Sequence, residues 1–573
     1  VAVRKSWLQL YAPFIALALV QALFIAVAPS RGPSARQVGT VAAGPVDGEV
    51  GAGPAGTTPE VGDLGGTGAD TTLPGSTATG PVASQRARTT GPAKANTSDG
   101  TGTLQAAGDT SHCTPDGKQF GIVRGGGPPC KPKFVGDNGG ATYQGVTAKE
   151  IKIVVFASKP NEQVNAILRT QGLAVTLEEW MAAMNAYVGF VNKRYELYGR
   201  KIVWKRIEGD CPTTPPDYDK CIAAAQEVVK EKPFMVIWGT PLYASVFDVW
   251  AKNGIISVGG WHFDDRFFTQ RRPYRWDVFM DGTQSADIIA EYFCKKLANK
   301  KATHSGAVIH PTIGARGQVD RHLGIIVPEI EANVLTAQRV QAKVQACNGG
   351  RKPPIFTYES DIERATEQTQ ATVSGLINAK VTTVVCMCDP IAPAFGTKGM
   401  TANNYFPEQL MPGLGLLDYD KLGRLYDPKQ MEHAFGPSHL GLNIPLDDTD
   451  QARVWRDMGN SGHPCGDNGC GVDWAYVNFV GTAIHMAGPN LNPFTVEQGL
   501  FSLAPRGGLP DQPLADFGPG DYTALGDAKE VYWSNTARSS IDGQPGAFVP
   551  LDGGRRYKRG QWTTAFNIPV PAS

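Results

Sequence analysis

No charge of either sign dominates this sequence. Its 54 basic and 54 acidic side chains cancel to a formal net charge of zero, and no strongly basic cluster stands out. A nucleic-acid surface therefore has no electrostatic support, and the partner expected is a small molecule or another protein. The common catalytic signatures are missing as well: there is no H-E-x-x-H pair, no G-x-x-x-x-G-K-[ST] phosphate loop and no G-x-S-x-G elbow. The HFDD run from His262 to Asp265 offers an acid and a base, but charged loops after strands are commonly just solvated. The chain is read as a non-enzyme that needs no cofactor.

Aromatic residues are absent between Phe24 and Phe120. From 29 to 111 the chain is Gly, Ala, Thr, Pro and Ser with scattered charges, too little apolar surface to offset the entropy of ordering it, so this stretch is read as a disordered tether. Gly51 to Gly56, GAGPAG, fits the dinucleotide fingerprint, but no strand precedes it and Pro54 interrupts it, so the match is compositional. Ahead of the tether, Arg4 and Lys5 precede a mostly apolar stretch from Trp7 to Ala28. Residues 1–28 are an export signal or a membrane anchor, with 8–28 as the span that would hold the protein to a membrane. Ala26-Val27-Ala28 has the small-x-small form of a cleavage site, whereas Pro29 is a poor residue to follow one, so both readings stand. No cysteine follows the apolar run, which excludes lipoprotein attachment there. The protein is placed outside the cytoplasm, in the cell envelope or secreted.

Ten cysteines in an exported chain point to disulfides. Three pairs lie close in sequence: Cys113 with Cys130, Cys211 with Cys221, and Cys465 with Cys470; the pairing of Cys294, Cys347, Cys386 and Cys388 is open. The competing reading is a metal, since Cys386-Met387-Cys388 is a C-x-C and His463 stands near Cys465. Zinc-ribbon spacing is lacking, so disulfides are favoured and no metal is expected.

Order begins near Gly145. The run Phe234 to Trp238 is short, apolar and flanked by Pro233 and Gly239, the mark of a strand buried on both faces, with Trp238 in the core. Leu242, Val246, Val249 and Trp250 then recur at helical spacing, and Ile255 to Val258 forms the next strand before Gly259-Gly260. Upstream, Ile151–Ala157 is a strand, Trp180 to Val191 a helix face, GRKIVWKRIEGDC a second strand and Cys221–Lys230 a helix capped by Asp217 or Asp219. A second series follows: a helix through Ile288 and Leu297, a strand at Gly306–His310, a helix over Gln318–Ala332, a strand at Val334–Val340, a helix over Ala365–Asn378 and a strand at Val381–Cys388. After about Phe395 only the helix near Val472–Ala487 is clear, and RRYKRGQW has strand and turn character. The alternation predicts two successive doubly wound α/β lobes.

The pieces GVTAKEIKIVVF, MNAYVGFVNKRYELYGRKIVWKRIEGDC, CIAAAQEVVKEKPFMVIWG and NGIISVGG, in that order and spacing, resemble the type 1 periplasmic binding proteins, specifically the branched-chain amino-acid group. DVFMDGTQSADIIAEYFCKKL and AVIHPTIGARGQ look like that family's entry to its second lobe. The resemblance spans roughly Gly145 to Gln561 and is clearest before Asp389. It implies a Venus-flytrap of two lobes joined by a three-strand hinge, with crossings at about Asp277–Asp281, near Leu440 and near Ala504. The expected layout is a cysteine-containing lead-in at 112–145, lobe 1 at 146–277 completed by about 440–503, and lobe 2 at 278–439 completed by about 504–573. It further implies capture of an amino acid or related small solute and delivery to the permease of an ABC transporter; a tethered sensing or envelope protein-binding domain of the same fold is the alternative.

Ligands of such sheets bind beyond the strands' carboxyl ends. The candidate contacts are therefore Ser158, Lys159, Gly239, Thr240, Tyr243, Gly260 and Trp261 in lobe 1, and His310, Thr312, Cys388 and Asp389 in lobe 2. By resemblance, Thr240 and the Gly260-Trp261 amides would hold a ligand carboxylate and Asp389 its ammonium. The family's serine-rich loop is replaced by Thr240-Pro241-Leu242-Tyr243, so an aromatic or larger apolar solute on Trp261 or Tyr243 fits equally well. Each contact has a plainer alternative: packing for Tyr243 and Trp261, a solvated charge for Lys159, a turn cap for Asp389 and a satisfied strand-end histidine for His310.

Overall fold

The computed structural model describes residues 108–571 apart from 213, 214, 216, 238–242, 261 and 262. The expected signal or anchor at 1–28 and nearly all of the expected tether lie outside the described residues. Among the described residues no helix is long and apolar enough to cross a membrane.

Lobe 1 is built on five parallel strands in the order β2-β1-β3-β4-β5: β1 (Glu150–Ser158), β2 (Lys201–Gly209), β3 (Met235–Ile237), β4 (Ile256–Val258) and β5 (Arg275–Trp276). Ile151, Ile153, Val154 and Phe156 of β1 are all but fully buried, as apolar runs are in a sheet covered on both faces. Helices α1 (Glu162–Arg169), α2 (Leu177–Arg194), α3 (Tyr218–Lys230), α4 (Ala244–Lys252) and α5 (Asp265–Gln270) connect the strands. Thr176 and Glu179 form a capping box at the head of α2, Lys193 and Arg194 close its last turn, and its Ala183, Met184, Tyr187, Phe190 and Val191 are buried. Asp217, one of the two expected caps, accepts from the Lys220 amide at the start of α3.

The chain then enters lobe 2 through α6 (Gly282–Tyr292), which ends in a π turn at Phe293–Leu297. A small antiparallel hairpin, β6 (Val308–His310) with β7 (Gly314–Ala315), stands apart from the main sheet. That sheet runs β9-β8-β10-β11-β12 in parallel, with β8 (Leu323–Pro328), β9 (Ile355–Tyr358), β10 (Thr383–Cys386), β11 (Glu408–Leu410) and β12 (Ala434–Ser438). Helices α7 (Glu331–Cys347), α8 (Ala365–Asn378) and α9 (Ala392–Ala402) link it. Two expectations fail here. The stretch expected as a helix at Gln318–Ala332 holds strand β8, whose six residues are all buried and so show no helical periodicity. The strand expected at Val334–Val340 lies inside α7, whose buried Asn333, Thr336, Ala337, Val340 and Val344 recur at helical spacing.

From β12 the chain returns to lobe 1 as α10 (Asp450–Asp457), α11 (Gly471–Ala487) and α12 (Pro493–Phe501). Trp474 of α11 packs on Tyr187 and Phe190 of α2, with ring centroids 5.5 and 5.6 Å apart. The lead-in also belongs to this core: Phe120 packs edge-on against Phe190 and Tyr195. A last crossing leads to β13 (Asp527–Arg538), which pairs antiparallel with β12, β14 (Pro545–Pro550) and β15 (Arg556–Lys558). At the hinge the first and last crossings lie side by side, the Asp277 amide donating to the Tyr522 carbonyl and the Ala524 amide to the Asp277 carbonyl, each at 3.1 Å. The architecture is two doubly wound lobes joined by three crossings.

All ten cysteines are paired: the three pairs close in sequence form, and Cys294 joins Cys347 and Cys386 joins Cys388. The lobes also meet away from the hinge. Leu173, in the lobe 1 loop between α1 and α2, is buried in a lobe 2 cluster with Met411, Leu417, Leu422 and Tyr426. Beside it Asp467, within the Cys465–Cys470 loop, pairs with the buried Lys421 of lobe 2 at 3.3 Å.

Candidate functional site

In each parallel sheet the first strand sits between its second and third, so the connections leave it in opposite directions and open a crevice at its carboxyl end. The two crevices face each other across one cavity of about 570 Å³. Val155 to Ser158 of β1 and Ile237 of β3 form one wall; Ile326 and Pro328 of β8, Tyr358 of β9 and the Cys386–Cys388 disulfide after β10 form the other. Most of the lining is apolar, including Met184, Ile330, Val373, Phe395 and Met400. A cavity of this size and character suits a small organic molecule.

Polar side chains from both lobes also line the cavity. Tyr358 donates its hydroxyl to Asp389 Oδ2 at 2.6 Å and accepts from the Asp389 amide at 3.1 Å. Asp389 Oδ1 accepts from the amides of Ile391 and Ala392 at the head of α9, so this residue both caps a turn and faces the cavity. Burial beside the Asp389 carboxylate pushes the Tyr358 phenol well above its ordinary pKa, which keeps it a donor. On the lobe 1 side Trp180 donates its indole N–H to Asp473 Oδ1 at 3.0 Å. Burial raises the Asp473 carboxyl, and the Trp180 bond works against that rise.

Among the described residues Ser158 Oγ and the Tyr243 hydroxyl are buried without a hydrogen-bond partner, and Tyr243 is only 4% exposed. An unsatisfied buried hydroxyl costs about 1–3 kcal/mol, which a ligand or water in the cavity would recover. The Tyr243 ring packs against Tyr218 at 4.2 Å, so cavity lining and packing are both true of it.

Of the residues singled out from sequence, Ser158, Lys159, Tyr243, Cys388 and Asp389 line this cavity. Lys159 does so from the rim, 61% exposed and 3.8 Å from Asp210. Gly239, Thr240 and Trp261 lie outside the described residues. Three candidates are placed elsewhere. Gly260 has φ of +85°, and a Cβ there would strike the Phe247 ring at 2.3 Å, so glycine is required for backbone shape and packing; its carbonyl accepts from the buried Arg275. His310 and Thr312 bond each other at 2.8 Å on the β6–β7 hairpin, away from the crevice because that hairpin is not part of the sheet. Tyr358, Trp180, Asn333 and Asp473 are lining residues that sequence reasoning missed. The metal alternative loses its sulfur ligands, since Cys386, Cys388 and Cys465 are disulfide-bonded and His463 bonds Asp447 at 2.8 Å.

No protein-family model matches the chain, and no curated protein matches it in sequence. Among solved structures it is similar to a fatty acid ABC transporter substrate-binding protein from Thermomonospora curvata, at 12% identity over 74% of this chain and 97% of that one, with a TM-score of 0.49. A solute-binding protein of an ABC transporter from Rhodopseudomonas palustris HaA2, in complex with p-hydroxybenzoic acid, shares 11% identity over 72% of this chain and 98% of that one, TM-score 0.48. An ABC transporter substrate-binding protein from Desulfitobacterium hafniense, in complex with Leu, shares 13% over 70% and 100%, TM-score 0.45.

Proposed function

We propose that the protein is an extracytoplasmic solute receptor that closes its two lobes on a small organic molecule and hands it to the permease of an ABC transporter. The observation that carries this reading is the single cavity at the carboxyl ends of the switch-point strands of both lobes, walled by each of them. Such a site exists in full only when the lobes are together, so binding energy drives closure. The complete pairing of the cysteines agrees with an oxidising compartment outside the cytoplasm. The solute that fits has an apolar or aromatic body along Ile237, Ile326, Met184 and Phe395, with one or two polar atoms for Ser158, Tyr243 and the Tyr358–Asp389 pair.

The test is a thermal-shift screen of the whole chain against amino acids, short peptides, aromatic acids, amides and sterol-like compounds. A ligand at a hundredfold excess over its Kd adds about 2.7 kcal/mol to the folded state. A hit whose effect is weakened in both Tyr358→Phe and Ser158→Ala supports the reading, because those residues lie on opposite lobes. A folded protein that answers to nothing in the panel, or a hit indifferent to both substitutions, counts against it.

A further inference from the structure

A second cavity, of about 330 Å³, lies in lobe 2 between β13, β14 and the middle crossing at Gly441–Asn443. Asp418 lines it, is 3% exposed, and has no hydrogen bond of normal geometry to either carboxylate oxygen. Burial raises this carboxyl, and the Lys529 ammonium, the Ser438 hydroxyl, its own amide and the Arg556 guanidinium each offset part of that rise. Lys529 shares the cavity but is engaged elsewhere, donating to Ser438 Oγ at 3.1 Å and to the carbonyls of Leu440 and Gly441 at 2.6 and 2.9 Å. Asp420 is satisfied, accepting from Ser539 and from the Phe548 amide. Among the described residues Asp418 is therefore a buried carboxylate whose acceptors lack donors, a costly arrangement unless a guest supplies them.

We infer that this cavity is a binding site for a small primary ammonium compound, its N–H donors directed at Asp418 and its methylenes against Leu442 and Val531. A charged donor suits the site better than a hydroxyl, because charge-assisted bonds to a carboxylate are about twice as strong as neutral ones. The site is independent of the solute in the larger cavity. The two nevertheless share a loop, since Gly415 lines the first and Asp418 the second.

The experiment titrates the whole chain with ethylammonium, ethanolamine and putrescine, with tetramethylammonium, which has no N–H, at matched ionic strength as the control. Saturable stabilisation by the N–H-bearing amines alone is expected, with the apparent Kd raised at least tenfold in Asp418→Asn and unchanged in Asp389→Asn. Because Asp418→Asn perturbs a buried site, Ser540→Trp serves beside it: Ser540 is exposed at the edge of this cavity, and the indole should block entry with Asp418 intact. An equal response to tetramethylammonium, a response that survives both substitutions, a response to glycerol or glucose but to no amine, or none at all would each overturn the assignment.

Discussion

Leu173 is where lobe closure can be measured. It belongs to the chain of lobe 1, yet it is 8% exposed because it inserts among Met411, Leu417, Leu422 and Tyr426 of lobe 2, while Asn468 holds its carbonyl at 2.8 Å. Rotation of the lobes about the hinge would return this side chain to water. Full burial of a leucine is worth roughly 1.5–3 kcal/mol, and truncation to alanine forfeits most of it. If the contact exists only in the closed form, Leu173→Ala weakens closure by about that amount, and solute affinity falls by about ten- to a hundredfold, since about 1.4 kcal/mol is a factor of ten. The unliganded variant should also show a larger radius of gyration in small-angle scattering, whereas the denaturation midpoint of lobe 1 should hardly move. The reasoning fails if the variant loses about 2–5 kcal/mol of global stability, the usual cost of such a truncation in a permanent core, with scattering and affinity unchanged.

Three further outcomes are expected. Tyr358→Phe strips Asp389 Oδ2 of its donor inside the cavity, so the variant should lose about 1–3 kcal/mol in urea denaturation, and a loss below a few tenths would mean that water replaces the phenol. Burial raises the hinge carboxyls of Asp277 and Asp281 to about 6 and about 7 from 3.8. The folded state then holds more protons than the unfolded one between those limits, so their contribution is present near pH 4 and is lost as pH rises toward 7, by at most about 1.4 kcal/mol per unit for each group. Asp281→Asn should flatten that slope, and a parent protein equally stable at pH 4.5 and 7 would contradict the assignment. Cys294–Cys347 closes a separation of 53 residues, for which chain entropy gives about 4 kcal/mol, so the double serine variant should melt well below the parent.

What could be read from the sequence was whatever is local. The apolar run of β1, the capped face of α2 and the boundaries of α8 follow from neighbouring residues alone. The misreadings arise where period and burial disagree: Leu323–Pro328 is apolar on every side, and α7 carries β-branched residues close enough together to imitate a strand. The cavity was legible in part, because residues just past β1 and β10 must stand at the crevice. Trp180 and Asp473 are 293 residues apart, and only the return of the chain as α11 unites them. Tyr358 ends β9, a four-residue strand with no fully buried member and hence little apolar signal.

The order in which the chain visits the lobes has a consequence for synthesis. Lobe 1 lacks Trp474 and Val480 until α11 is made, and the β12 edge of lobe 2 stays unpaired until β13 arrives, only after the chain has crossed to lobe 1 and back. An unpaired central edge is a template for another chain. While the segment between β12 and β13 is being made, the polypeptide thus carries a lobe 1 sheet that still lacks its last covering helices and a lobe 2 sheet with an open edge, and that edge is exposed to a second chain until the final segment emerges.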